Sequence, residues 1–342
     1  MTRPMGARLS GTARVRWAVA LLTVLGIGAC SRKDPSPVRP VAKVGLIEPG
    51  PEDAWWRRVA AGAARASRES GRVAFFPRVA AAAGADPDQA AIVRTMITDG
   101  VGALVVAPQL PDGQELAAAL REAVVAGIPL VLVDDYGNGA TAGIKAPRVV
   151  SDDAQAGVMA AEFILSRLGE TREVLVLGDG KGPQGSDRRE IAFRERMARE
   201  SSVHTVDAPP GPGPQKRAAQ LAVEYALDAN PNIGAIFCPD EQSTLGVLLA
   251  LRERSIAGQV RLVGVDTNAT LVEAMAAGEI DALIIRRPAD VGHRAMLAAI
   301  GLIKGEPVDD LILTPVTLVP REAMHDRANM DLLLPDPART GE

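Results

Sequence analysis

Aromatic residues and cysteines are scarce in this chain. Phe, Trp and Tyr make up 3% of its 342 residues, and its two cysteines allow at most one disulfide, which excludes a cystine-stabilised scaffold. The formal net charge is -4, so the chain offers no basic surface for phosphate backbones, and we predict no nucleic-acid partner. The hydrophobic content of 47% and the charged content of 23% are typical of a folded protein, and the length suits two domains.

Sequence motifs of catalysis and of metal binding are also missing. The chain has no G-x-S-x-G, H-E-x-x-H or D-x-D-x-D-G motif, and its three histidines lie far apart, at His204, His293 and His325. Residues 180–185 do match G-x-G-x-x-G after a predicted strand, which leaves a dinucleotide site as a weaker interpretation. Pro183 stiffens that turn, which disfavours a dinucleotide there. Since the motifs of catalysis and metal binding are missing, we predict no enzyme activity, no metal site and no cofactor.

Residues 1–29 have the features of an export signal. They contain no acidic residue and begin with a segment that holds four arginines. An apolar run of about 13 residues completes them, too short for the roughly 20 that span a bilayer. The run ends in Ile27, Gly28, Ala29 and Cys30, which resembles a bacterial lipobox. That resemblance implies a lipid on Cys30 and a membrane anchor at the periplasmic side of the cell envelope. A secretory signal with an incidental cysteine is the alternative.

Residues 30–42 are polar and proline-rich, which predicts an extended tether. Beyond the tether, short apolar runs alternate with helical patterns. Strands are predicted at 44–47, 73–76, 103–107, 129–133, 174–177, 203–206, 235–237, 262–265 and 282–285, and helices at 55–70, 86–100, 114–126, 191–199, 215–227, 244–254 and 271–277. Uninterrupted Val, Leu and Ile strands are typical of sheets covered on both faces, so we predict an α/β fold with doubly wound parallel sheets. Cys238 lies in such a run and is predicted to be a buried thiol.

Acidic residues follow many of these strands. In doubly wound sheets ligands bind beyond the carboxyl ends of the strands. The residues in such positions include Glu48, Asp134, Asp135, Asp240, Asp266 and, as the one cation, Arg286. Helix capping explains an aspartate at one or two such positions. The whole set favours a ligand pocket.

From residue 43 to residue 319 the chain resembles the type I periplasmic sugar-binding proteins, particularly the ribose-binding group. The matching segments are 44–56, 127–134, 151–153, 189–193, 237–246, 263–266 and 286–292, in the family's order. The resemblance implies two lobes joined by a three-strand hinge, with crossings near Ser151, Arg286 and Pro315. The N-terminal lobe would comprise residues 43–151 and 287–314, the C-terminal lobe residues 152–286 and 315–330, and the tail residues 331–342.

The same resemblance implies the residues of a sugar site. Trp55 and Trp56 match the aromatic pair that stacks on the sugar ring, and Asp53 matches a hydrogen-bonding side chain before it. A core role for both tryptophans is disfavoured because adjacent helix positions differ by about 100°. Asp134 and Asp266 match paired carboxylates that accept hydroxyl hydrogen bonds.

The remaining site positions depart from the family pattern. Asp240 stands where the family usually has Asn, and Arg286 where it often has Gln. Asp135 replaces one arginine of the ribose binders, and Asp187 replaces a second, although a shift of one residue would restore it as Arg188. These changes predict an acidic cleft, which leaves an amino sugar or a small amine open as ligand and disfavours ribose itself.

The expected function is therefore solute capture. The resemblance implies a monomeric, lipid-anchored protein that binds a sugar or sugar-like molecule between its lobes and delivers it to an ABC permease. A ligand-sensing lipoprotein that signals to a membrane receptor or kinase is the alternative, because the sequence does not distinguish the two docking partners.

Overall fold

Strands and helices alternate along the chain, and the strands form two sheets. The computed structural model describes residues 42–49, 54–80, 86–108, 113–134, 141–169, 173–178, 184–209 and 215–334. The first series of elements is β1 (Ala42–Glu48), α1 (Ala54–Ser70), β2 (Val73–Val79), α2 (Asp86–Thr98), β3 (Ala103–Val106), α3 (Gln114–Val125), β4 (Leu130–Val133) and β5 (Arg148–Ser151). The second is α4 (Asp153–Arg167), β6 (Glu173–Val176), α5 (Gln184–Met197), β7 (His204–Asp207), α6 (Gln215–Ala229), β8 (Ile233–Phe237), α7 (Glu241–Glu253), β9 (Arg261–Val265), α8 (Ala269–Ala276) and β10 (Ala282–Ile285). The last is α9 (Pro288–Lys304), β11 (Leu311–Thr314), β12 (Thr317–Pro320) and α10 (Arg327–Leu333).

Within the described residues each sheet has six strands, and the predicted α/β class with two parallel sheets is confirmed. The first sheet has the order β11-β5-β4-β3-β1-β2, and the second has the order β12-β10-β9-β8-β6-β7. Every pairing is parallel except that of β12 with β10. Every residue of β3, β4 and β10 is buried, as expected for strands that helices cover on both faces.

The antiparallel strand β12 shows how the two sheets meet. Only two residues separate the end of β11 at Thr314 from the start of β12 at Thr317. Thr317 pairs with Ile285 at the carboxyl end of β10. A chain that leaves the carboxyl end of β11 therefore enters the second sheet at its carboxyl edge, so the carboxyl edges of the two sheets meet at this crossing.

Hydrogen bonds join the segments that cross between the sheets. Asp152, after β5, donates its backbone N–H to the carbonyl of Thr314 at 2.9 Å, and the Thr314 hydroxyl donates to the carbonyl of Val150 at 3.3 Å. Arg287, after β10, donates from Nη2 to Oγ1 of Thr317 at 3.2 Å. The three crossings are thus held together by specific polar contacts.

Helices that follow the crossings pack closely against their neighbours. Helix α9 packs on α1 beside the first sheet, and α4 packs on α5 beside the second. A Cβ at Gly292 would overlap the carbonyl of Val59, and a Cβ at Gly157 would overlap the carbonyl of Arg189. Glycine at both positions permits these close helix contacts.

Two of the predicted elements that differ from the observed ones are α5 and β2. Helix α5 begins at Gln184 rather than at residue 191, because its first two turns are polar and give no apolar periodicity. Strand β2 continues through Pro77 to Val79, which an edge strand tolerates since the missing N–H faces no partner strand. Cys238 is fully buried, as predicted. Among the described helices, none has both the length and the apolar character that a membrane crossing requires.

Candidate functional site

Asp134 and Asp266 occupy equivalent positions in the two sheets. Each directly follows a central strand, β4 or β9, and each has a left-handed backbone conformation, with φ of 53° and 68°. Each backbone N–H donates to the adjacent strand, from Asp134 to the Val149 carbonyl at 3.0 Å and from Asp266 to the Ile284 carbonyl at 2.8 Å. Non-glycine residues adopt this conformation at a cost of roughly 1–2 kcal/mol, and such strain clusters at functional sites.

Arg286 connects Asp266 to Trp55. Its Nε donates to Oδ1 of Asp266 at 2.9 Å, and its Nη2 forms a close ion pair with Oδ2. Its guanidinium carbon lies 3.8 Å from the centroid of the Trp55 ring. The side chains are 10% exposed for Arg286 and 15% for Asp266. Burial opposes the charge of Arg286, but the carboxylates of Asp266, Asp153 and Asp134 outweigh it and raise the pKa of Arg286.

The Asp134 carboxyl group is buried close to these charges. Burial raises its pKa, the guanidinium groups of Arg286 and Arg189 oppose that effect, and the carboxylates of Asp153 and Asp266 add to it. Its Oδ1 is buried and receives no hydrogen bond from the described part of the chain. A buried carboxyl oxygen of this kind suits a ligand hydroxyl.

Asp153 and Arg189 form a second ion pair, close to Asp134. Arg189 Nη1 contacts Oδ1 of Asp153, and the two side chains are 2% and 0% exposed. Arg189 Nε also donates to the carbonyl of Pro239 at 2.6 Å. The pair therefore joins the first crossing, helix α5 and the loop after β8, and it neutralises a carboxylate beside the site.

Sequence reasoning missed Arg189 as a site residue, although a signal was present. On α5, Arg189 lies three, four and eight positions before the buried residues Ala192, Phe193 and Met197. That spacing places an arginine on the apolar face of the helix, where it requires a buried partner.

The predicted tryptophan pair also contacts the hydrophobic core. Trp55 and Trp56 are both half-buried, and both pack against the core cluster of the first sheet. Both rings thus contact the core, an arrangement that the 100° spacing of adjacent helix positions disfavours. The first turn of α1 lies at the edge of the core, so each ring touches it with part of its surface. Of the two rings, the Trp55 ring is the one that the Arg286 guanidinium contacts.

Asp240 caps helix α7. Its carboxylate accepts a hydrogen bond from the Ser243 N–H at 2.9 Å. In return, the Asp240 N–H donates to the Ser243 hydroxyl at 3.3 Å. This capping box accounts for an aspartate at this position without a ligand. Its role in binding stays a prediction.

The other predicted site residues are placed as follows. Asp187 and Arg188 lie half-buried in the first turns of α5, next to the fully buried Arg189. Asp53, Asp135 and Cys30 lie outside the described residues. The structure thus brings Trp55, Asp134, Asp266 and Arg286 together, and it leaves the contribution of Asp187 and Arg188 as a prediction.

Glu48 is a further buried acid at the same edge of the first sheet. It ends β1 and is 6% exposed. Burial raises its pKa to about 7. No cluster of three His, Cys, Asp or Glu that could hold a metal ion occurs within the described ranges.

Two of the described carboxylates near Asp134 have arginine partners. Asp266 is paired with Arg286, and Asp153 is paired with Arg189. Two carboxylates near Asp134 are thus neutralised by arginines of the same chain. The described residues show a cluster of alternating charges.

Comparisons with known proteins agree with this architecture. A family model described as periplasmic binding protein domain matches residues 44–307. The ribose import binding protein of Bacillus subtilis is 27% identical over 231 residues, which cover 67% of this chain and 72% of that protein. The periplasmic component of an ABC-type sugar transport system from Hahella chejuensis superposes with a TM-score of 0.70 at 28% identity, over 81% of this chain and 99% of that one. A periplasmic ribose ABC transporter structure from Conexibacter woesei has a TM-score of 0.75 at 24% identity, over 86% and 98% of the two chains.

Proposed function

The chain belongs to the periplasmic binding protein domain family, and from that premise we propose that it is an exported solute-binding protein that captures a sugar or sugar-like molecule and delivers it to an ABC importer. The names of its relatives support this proposal, since they describe ribose import and sugar transport. We assign it a binding role without catalysis.

The pairing of Asp134 with Asp266 carries the proposal. These carboxyl groups end equivalent strands of two sheets whose carboxyl edges meet at the crossing from β11 to β12. Carboxylates accept hydrogen bonds from neighbouring sugar hydroxyls, and charge-assisted bonds of this kind are strong. The Trp55 ring next to them supplies an apolar surface for the C–H face of a sugar.

The proposed lobes follow the predicted limits, residues 43–151 with 287–314 and residues 152–286 with 315–330. The hydrogen bonds among the crossings at Asp152, Arg287 and Thr314 support a hinge there. Closure of the lobes on the ligand would present the bound form to a permease.

We also propose that Cys30 carries the lipid that anchors the protein to the membrane at the periplasmic side. Its support is the lipobox-like sequence before it. Labelling of cells with a radioactive fatty acid tests the anchor, because the wild-type chain is expected to incorporate label and Cys30→Ala to lose it. Equal labelling of both proteins would remove Cys30 from this role. The sensing alternative stays a prediction.

A thermal-shift panel of neutral monosaccharides tests the binding function. We expect at least one sugar to raise the unfolding temperature of the wild-type chain, and we expect Trp55→Ala to lose that response. Tyr225→Ala is the matched control, since Tyr225 is an exposed aromatic residue on α6. Absence of any shift across the panel would contradict the proposal.

A further inference from the structure

Arg286 fills the position that a cationic ligand would take in this cleft. A bound ammonium or guanidinium group is recognised by an aromatic face together with a carboxylate. Here the Arg286 guanidinium lies 3.8 Å from the Trp55 ring centroid and forms a two-bond ion pair with Asp266. Both recognition elements are therefore already engaged by the chain itself.

The fold holds Arg286 in this place from both sides. It follows β10 directly and lies two residues before α9, so it belongs to the second crossing between the sheets. Helix α9 packs tightly on α1, which carries Trp55, and the glycine at position 292 permits that contact. Asp266 is held by its backbone bond to Ile284 of the neighbouring strand β10. The contact from Trp55 through Arg286 to Asp266 is thus built into the packing.

The cluster still offers one donor and one acceptor to a ligand. Asp266 engages Nε and Nη2 of Arg286, and across the described ranges Nη1 has no hydrogen-bond acceptor. Asp134 Oδ1 is likewise buried without a hydrogen bond from the described residues. A hydroxyl group donates and accepts, so it can serve both atoms, whereas an ammonium group only donates and would place a second positive charge beside Arg286.

We propose that Arg286 is the specificity-determining residue of this cleft: it occupies the cation position over Trp55 and beside Asp266, reserves the site for uncharged polyhydroxylated rings, and excludes their amino analogues. The proposal rests on the proposed sugar-binding function and selects between the neutral and the cationic ligands that the sequence leaves open. It makes Arg286 a discriminating residue, in place of the glutamine that the family resemblance associates with this position.

Isothermal titration with matched sugar pairs tests the discrimination. The probes are D-glucose, D-galactose and D-allose, each beside its 2-amino-2-deoxy analogue, titrated into the full chain. We expect the wild type to prefer at least one neutral sugar over its amino analogue by tenfold or more, and Arg286→Gln to reduce that ratio by at least tenfold. Equal or tighter binding of the amino sugar by the wild type, or an unchanged ratio in Arg286→Gln, would overturn the proposal.

A second measurement decides the proposal without any sugar. Arg286→Ala opens the cation position, and millimolar methylguanidinium is expected to raise the unfolding temperature of this variant saturably while leaving the wild type unchanged. Arg254→Ala is the control, because Arg254 pairs with the exposed Asp228 away from the cleft. An Arg286→Ala chain that responds no more than Arg254→Ala would refute the proposed cation position. If no sugar binds but methylguanidinium raises the unfolding temperature of Arg286→Ala, the proposed function fails while the cation position stands.

Discussion

The buried ion pair of Asp153 and Arg189 leads to a quantitative prediction about stability. The two side chains are 0% and 2% exposed, and Arg189 has one further bond, to the carbonyl of Pro239. Removing one partner of a buried pair leaves an uncompensated charge, which costs about 3–5 kcal/mol. We therefore expect Asp153→Asn and Arg189→Met each to lower the free energy of unfolding by about that amount. For a chain of this size the loss corresponds to a fall of about 5–10 °C in unfolding temperature.

A double-mutant cycle measured by urea unfolding gives the coupling of the pair. The double variant Asp153→Asn with Arg189→Met removes both charges, so its loss is expected to be smaller than the sum of the single losses by about 2 kcal/mol. The pair of Arg94 and Glu122 provides the matched control. It also joins two adjacent helices, at an N···O distance of 2.9 Å, but its side chains are 45% and 51% exposed.

Water screens the control pair, so Arg94→Met and Glu122→Gln are expected to change stability little. The reasoning would be refuted if Asp153→Asn cost no more than Glu122→Gln. It would also be refuted if the double variant showed losses that simply add, because additive losses mean that the two side chains do not interact.

Three further predictions concern packing, pH and capping. Gly292→Ala is expected to destabilise the chain by about 1–3 kcal/mol in thermal unfolding, since its Cβ would overlap the Val59 carbonyl, whereas Gly169→Ala has open space and should be neutral. Burial raises the pKa of Glu48 from 4.5 to about 7, so its folded state holds the proton more tightly, and stability is expected to fall as pH rises through that interval. Unfolding at pH 5 and pH 8 checks this, because Glu48→Gln should remove about 2.5 kcal/mol of the difference, and an unchanged difference would contradict the assignment. Asp240→Ala is expected to cost about 1 kcal/mol through the lost cap of α7, and a larger loss of ligand affinity than of stability would instead assign Asp240 to the site.

The sheet architecture was predictable from the apolar runs and from the glycine and proline residues that bound them. Strands such as β4 and β9 are short and uninterrupted, and an aspartate directly follows each. Parallel strands bring their carboxyl ends to one edge, so Asp134 and Asp266 could be assigned to a ligand edge before any coordinates. The start of α5 could not be predicted in the same way, because its polar first turns carry no periodic signal.

The ionic contacts of the site were beyond sequence reasoning. Arg286 and Trp55 lie in distant parts of the chain, and no local pattern connects them. Their contact depends on the packing of α9 against α1, which only the three-dimensional fold establishes. The pairing of Arg286 with Asp266 likewise gives one of the predicted site carboxylates a counter-charge within the chain.

Isothermal titration of the best neutral sugar from the panel tests the central claim most directly, with the wild type, Asp134→Asn and the control Asp228→Asn compared. Asn tolerates the left-handed backbone of Asp134 but replaces its carboxyl group by an amide, so the loss of a hydrogen bond to the sugar should weaken binding about 10-fold. Asp228 is an exposed residue of α6, and its variant should bind as the wild type does. The predicted result is a stoichiometry of one sugar per chain, with weakened affinity in Asp134→Asn alone. Equal affinity of all three proteins, or no binding of any monosaccharide, would contradict the account.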